Sequence, residues 1–319
     1  MPALMKAGHA VLIAVLDLIG ISVSSGYAHD VSQYAVTSLD CREHESERLL
    51  HAFRSLHVDG LPRLLVVDSE SFETRLIDPK HLDCEDPTNM TEVNTSLYGK
   101  ALAKATSAPF PMRNDGIIHS THDVNGIFLT ADLCPASKER FEYRLFDALE
   151  TASTKKGSPI PIALSISGKW LRRHGENFDT IIQLVQKRKI DVTWVNHSDT
   201  HPYRPGLKEQ ENFLLESGVS PDREIENVEI ELIRRGELPS IYFRFPGLVS
   251  SPKWIAALAR HSLIPVGADA WIALGEKPKS GSIILVHGNG NEPLGVTLLL
   301  KKLSEIEAIG PFLPLSSLF

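Results

Sequence analysis

From Asn125 onward, short apolar runs alternate with amphipathic ones, and this alternation restricts the possible fold more than any other feature of the chain. "GIFLTAD" (126–132), "PIALSIS" (161–167), "DVTWV" (191–195), "IYFRF" (241–245), "LIPVGA" (263–268) and "SIILVH" (282–287) read as strands. Between them Phe141, Leu145, Ala148 and Leu149, then Phe178, Ile181, Ile182 and Val185, fall at helical spacing. Charged or apolar helical runs follow at 222–235, 254–260 and 294–303. Strands alternating with helices imply parallel strands joined by crossover helices, an α/β sheet or barrel. Active sites of such folds lie at the C-terminal ends of the strands.

That end is where chemically capable residues recur. Asp132 ends one strand, His197 and His201 follow "DVTWV", Arg244 sits late in "IYFRF", Asp269 follows "LIPVGA" and His287 ends "SIILVH". Two histidines four residues apart in "WVNHSDTHPY" are close enough to reach one ion if the segment is helical or tightly turned. Taken alone the pair also suits a surface loop.

The 319 residues carry a net charge of -7 and no long Lys/Arg run, which argues against a nucleic-acid partner. Residues 1–28 read as a signal peptide: Lys6 precedes an apolar run from Ala10 to Val23, and Gly26-Tyr27-Ala28 offers a small-x-small cleavage site. Asp17 interrupts the run, so a retained anchoring helix is the competing reading. No later segment has the roughly 18 consecutive apolar residues of a membrane span, so no stable insertion is expected after cleavage, and the mature protein is expected to be periplasmic or secreted. Of the three cysteines, Cys41 and Cys84 are the pair expected to bridge in an oxidising compartment, with Cys134 left after a core strand; three free thiols are the alternative. Residues 29–125 read as an extension packed on the main domain, with a helix-like run at 45–56, the strand "RLLVVD" (63–68) and a long polar stretch.

The order of motifs after about Gly126 resembles the polysaccharide deacetylase family, the NodB-homology or family 4 carbohydrate esterases. "FLTAD" is similar to its first motif, "HSDTH" to its His-Ser/Thr-x-x-His motif, "RFPG" to Arg-x-Pro and "LVH" to Leu-x-His; "SGKWLRRHGENFDTIIQLVQ" is similar to its strand-to-helix passage. The resemblance implies an irregular (β/α) barrel over 126–319 and removal of N-acetyl or O-acetyl groups from an acetylated glycan. It implies a divalent cation, zinc first, on His197 and His201, where it acidifies a water and polarises the acetyl carbonyl. By the same match Asp132 is the base, His287 the acid and Arg244 the partner that orients the base, with Asp269 tuning His287. Gly247 and Trp271 line the substrate site, Gly247 standing where many members carry an aromatic residue, so that an aromatic wall is expected to be lost.

The pattern departs in two places. Asp132 is followed by Leu133, where the family places a second aspartate as third metal ligand. Either another group, Asp132 first, completes the site or metal binding is weak, and restoring a carboxylate by Leu133→Asp is expected to tighten it. His119 and His122 are too far up the chain to substitute, about 30 Å along an extended strand. "ADAW" also lacks a second aspartate. A catalytically weak or inactive glycan-binding relative is therefore the second reading.

Overall fold

The computed structural model describes residues 28–87, 92–135 and 141–319. The leader expectation lies outside the described residues.

Seven parallel strands form the larger sheet. In chain order they are β6 (Phe128–Leu133), β7 (Ile160–Ile166), β8 (Ile190–Asn196), β9 (Tyr242–Phe243), β10 (Ile264–Pro265), β11 (Ala270–Trp271) and β12 (Ile283–His287). Their spatial order is β10-β9-β8-β7-β6-β12-β11. The helices α3 (Tyr143–Lys156), α4 (Gly168–Arg173), α5 (Gly175–Gln186), α6 (Pro221–Arg234) and α7 (Pro252–Arg260) supply crossovers, and α8 (Pro293–Lys301) and α9 (Leu303–Glu307) follow the last strand, so the α/β expectation holds. The sheet is an incomplete barrel: β10 and β11 are its two edges.

Period-two alternation decides what each face does. Leu129, Ala131 and Leu133 of β6, Ile162, Leu164 and Ile166 of β7, and Ile284 and Val286 of β12 share one core with Leu145, Phe146 and Leu149 of α3, Phe178 and Ile181 of α5, and Val296 and Leu299 of α8. Phe128, Ala163, Val195, Ile283 and Leu285 belong to a second core. Asp132, four residues after Phe128, takes the same face as that second core at the strand's far end.

The second core is completed by the extension. Its strands β1 (Val31–Glu43), β2 (Leu49–Val58), β3 (Leu61–Asp68), β4 (Thr74–Ile77) and β5 (Leu82–Glu85) pair antiparallel in the order β4-β3-β2-β1-β5. The short helices α1 (Glu92–Thr95) and α2 (Leu97–Ala105) follow. Phe53, Leu56, Leu65, Val67 and Tyr98 pack in the same cluster as the inner residues of the parallel sheet. Burying each such side chain contributes about 1.5–3 kcal/mol. The opposite face of this sheet holds a smaller core of Leu50, Ala52, Leu64, Val66 and Leu82 around Cys41, and Cys41 is bridged to Cys84 as expected.

The helix-like reading of 45–56 is corrected: residues 49–58 form β2. The alternation expected of a strand is absent because β2 is covered on both faces, by Phe53 against the large sheet and Leu50 and Ala52 against the small core. Its polar residues are buried in pairs. Arg54 donates through Nε and Nη2 to the two carboxylate oxygens of Glu229 on α6, at 2.7 and 2.9 Å, and Tyr34 donates to Oε2 at 2.5 Å. His51 bonds Asp40 at 2.8 Å and Ser262 at 3.0 Å.

Candidate functional site

A cleft of about 710 Å³ opens at the C-terminal ends of the parallel strands, lined among others by Asp132, Cys134, His197, His201, Trp271 and His287. Asp132 and His287 are register partners on the paired strands β6 and β12. The turns after these strands are tied together: Gly288 N donates to Asp132 O at 3.0 Å, and the buried Asn289 donates through Nδ2 to Cys134 O at 2.6 Å.

Asp132 is 3% exposed and fully buried Arg244 donates to its Oδ1 at 2.9 Å. Arg244 also donates to Thr130 Oγ1 at 2.6 Å and to the carbonyls of Gly267 and Val266 at 2.8 and 3.4 Å, so its guanidinium is locked in place. Burial raises the pKa of Asp132, but Arg244 first, then His197 and His287, outweigh it and bring it down to about 2. Its second oxygen lies 3.7 Å from His197 Nε2.

His197 directly follows β8. Its Nδ1 lies 2.8 Å from the Arg244 carbonyl, which only accepts, so Nδ1 carries a proton and in the neutral ring Nε2 presents a lone pair. His201 returns to it through a turn with left-handed backbone at Ser198 (φ 64°) and His201 (φ 45°), and the two rings stand 4.8 Å apart. Histidine tolerates that region better than most residues. The turn is held from outside: Arg172 and Asn227 donate to Asp199 at 2.6 and 3.0 Å, and Thr200 donates to Glu224 through its N–H and hydroxyl at 2.9 and 2.6 Å.

Cys134, expected only to follow a core strand, sits in the middle of the site. One nitrogen each of His197 and His201 and the Cys134 sulfur lie within 4.8 Å of one another, and Cys134 forms a second such group with Asp132 and His287. Burial opposes ionisation of the thiol, but His201 and His197 outweigh it and hold it well below its usual range. The available signal was its spacing: two residues after Asp132, it shares that residue's side of the chain. Donors of this kind fit a divalent cation.

Leu133, by contrast, is fully buried in the helix-side core. The expectation that Leu133→Asp tightens metal binding is therefore corrected. A carboxylate there points away from the histidines into packed aliphatic side chains.

Asp269 is also corrected. It precedes β11 and accepts hydrogen bonds from Ile283 N at 2.9 Å, at the start of β12, whereas His287 ends that strand. Four residues of strand separate the two, about 13 Å. Asp269 pairs with His119 at 2.7 Å, at the end of the sheet remote from the cleft. The residue beside His287 is Glu292, whose carboxylate lies 3.0 Å from His287 Nδ1 and accepts from Trp271 Nε1 at 2.8 Å. Burial lowers the His287 pKa, but its contacts with Cys134 and Glu292 outweigh this and raise it well above the usual value. No spacing rule pointed to Glu292, which lies in the turn before α8.

Gly247 lines the cleft at φ 62°, and a Cβ there would come 2.5 Å from the ring of Phe213. Phe213, 5.2 Å from the ring of Tyr203, fills the space a side chain at 247 would take. The aromatic wall is thus supplied from another segment, not lost.

No family model matches the chain. It is similar to a solved family 4 carbohydrate esterase from Bacillus anthracis, with 19% identity and a TM-score of 0.47 over 70% of this chain and 91% of that one. A family 4 carbohydrate esterase from Bacillus subtilis is 15% identical, with a TM-score of 0.47 over 69% of this chain and 87% of that one. A pseudoenzyme from Bacillus anthracis is 12% identical, with a TM-score of 0.43 over 90% of this chain and 88% of that one. All three are members of carbohydrate esterase family 4, the family whose motifs the sequence resembles.

Proposed function

We propose that the chain is a metal-dependent hydrolase that removes acetyl groups from an acetylated glycan. The observation carrying this reading is the meeting, in one cleft, of Asp132 held by Arg244, His287 held beside Glu292 and a donor group suited to a cation. His197 and His201 hold the ion, zinc in the first place. When bound it supplies a Lewis acid that acidifies a water and polarises an acyl carbonyl.

Asp132 accepts the proton of the attacking water. With a pKa near 2 it is ionised at neutral pH, and its conjugate acid is strong enough to pass the proton on. Arg244 fixes the carboxylate through Oδ1 and leaves Oδ2 toward His197. His287, kept protonated by Glu292 and Cys134, donates to the departing amine or alcohol. Trp271, Tyr203 and Phe213 give the cleft apolar walls that suit the face of a sugar ring.

No helix among the described residues is long and apolar enough to cross a membrane. The Cys41–Cys84 bridge supports an exported protein, since such bonds persist in oxidising compartments. N-terminal sequencing of the mature chain is expected to begin near His29.

The deciding experiment incubates the zinc-loaded protein with peptidoglycan, N-acetylglucosamine oligomers and O-acetylated polysaccharide and measures released acetate. Acetate from at least one substrate, absent with Asp132→Asn, supports the enzyme. Glycan binding without acetate release replaces it with the binding-protein reading.

A further inference from the structure

We propose that Cys134 is the third protein ligand of this centre, making it a cysteine-histidine-histidine site selective for a thiophilic cation such as zinc. The inference rests on the metal reading above and names the donor that the sequence left open.

Distance carries it first. Cys134 Sγ lies 3.5 Å from His197 Nε2. Tetrahedral zinc, with bonds of about 2.3 Å to sulfur and 2.0–2.1 Å to nitrogen, separates two such donors by about 3.6 Å. The pair is already at the span of one coordination edge. His197 cannot reverse its roles, because the Arg244 carbonyl holds its Nδ1 proton. The sulfur stands where His197, His201 and His287 all approach it. A shared cation satisfies lone pairs of the sulfur and both metal histidines at once.

The rival ligand fits less well. Asp132 already accepts from Arg244 through Oδ1. It groups with Cys134 and His287, whereas the donors gathered with both metal histidines are those of Cys134. Position 133 is closed to the site by packing, since Leu133 lies in the core against the helices. One residue further on, the chain faces the histidines, and the Asn289 bond to the Cys134 carbonyl fixes the backbone there. The third donor has thus moved one position along the chain, and Asp132 stays free to take a proton. Three protein donors plus an open position is the count of a catalytic zinc site, and thiolate disfavours magnesium, calcium and manganese.

The test is cobalt(II) substitution of the full mature protein with its disulfide intact. Cys134 is then the sole free thiol, because the chain has three cysteines and two are bridged. A sulfur-to-cobalt charge-transfer band in the near ultraviolet can come only from Cys134, so the unmutated protein is decisive even if a variant misfolds. The expected result is one cobalt per chain with that band. In a folded Cys134→Ser variant the band disappears, and affinity falls by at least the roughly 10- to 100-fold that loss of an outer-shell partner costs. Cobalt bound without the band, and released in His197→Ala, overturns the cysteine ligand and leaves the metal reading standing. No cobalt bound at all overturns both. Zinc is expected to protect Cys134 from iodoacetamide; equal alkylation with and without zinc overturns the proposal and favours a free nucleophilic thiol beside His287.

Discussion

Two buried arginine–carboxylate pairs sit in different parts of this molecule. Arg54–Glu229 joins the extension to α6, and Arg244–Asp132 stands at the floor of the cleft; both arginines are fully buried. In the first, both carboxylate oxygens are engaged by Arg54 and one also by Tyr34. In the second, the arginine takes one oxygen and the other faces a histidine at 3.7 Å. A buried carboxylate with both oxygens engaged by a charged partner has little left to offer a substrate, whereas one held by a single oxygen is oriented and still able to take a proton. The number of partners, not burial or the identity of the pair, separates structure from chemistry here.

The largest effect expected from breaking this comparison is on turnover. Asp132→Asn keeps the shape and removes the proposed base, and acetate release should fall roughly 10²- to 10⁴-fold. Stability should fall less than in Arg54→Ala, because Arg244 retains Thr130 and two carbonyls as acceptors.

Arg54→Ala leaves buried Glu229 without its charge partner, with Tyr34 as its remaining donor, and should cost about 3–5 kcal/mol of unfolding free energy, read from urea denaturation. Replacing both partners, Arg54→Met with Glu229→Leu, should recover most of it. If the double variant is no more stable than the single one, the interface pair is not the closed unit described.

Leu133→Asp should destabilise the fold by roughly 3 kcal/mol without raising metal affinity, since its carboxylate is buried in the apolar helix-side core. Thermal melts and zinc titration of the same sample check both halves.

The smallest effect sharpens the cleft side alone. The Glu292 carboxylate favours protonated His287, so Glu292→Gln should lower that pKa. Activity needing the protonated ring is then lost from a lower pH upward, and the alkaline limb of the pH–rate profile moves down. An unmoved limb would mean that another group carries the proton.

The parallel sheet was legible in the sequence because each strand-helix unit repeats its own hydrophobic period. The extension was not, since β2 is buried on both faces and satisfies its polar residues through partners far along the chain, Glu229 and Ser262. In the site, His197, His201 and Arg244 were readable from strand-end position. Cys134 was hidden because a cysteine after an apolar strand looks like packing, and Glu292 because it acts from a turn whose geometry no spacing encodes. Asp269 is not legible as a residue remote from the cleft because "LIPVGA" reads as one strand, whereas β10 ends at Pro265 and Asp269 directly precedes β11.

His287 and Asp132 are opposite one another on hydrogen-bonded neighbouring strands, which lie about 4.8 Å apart. The ladder therefore acts as a ruler between the two groups proposed to handle protons. Neither can be shifted without slipping a whole strand, which would turn its apolar residues to the wrong face. Divergence or engineering of this scaffold is thus confined to the turns around the cleft, with the spacing between the proposed acid and base inherited unchanged.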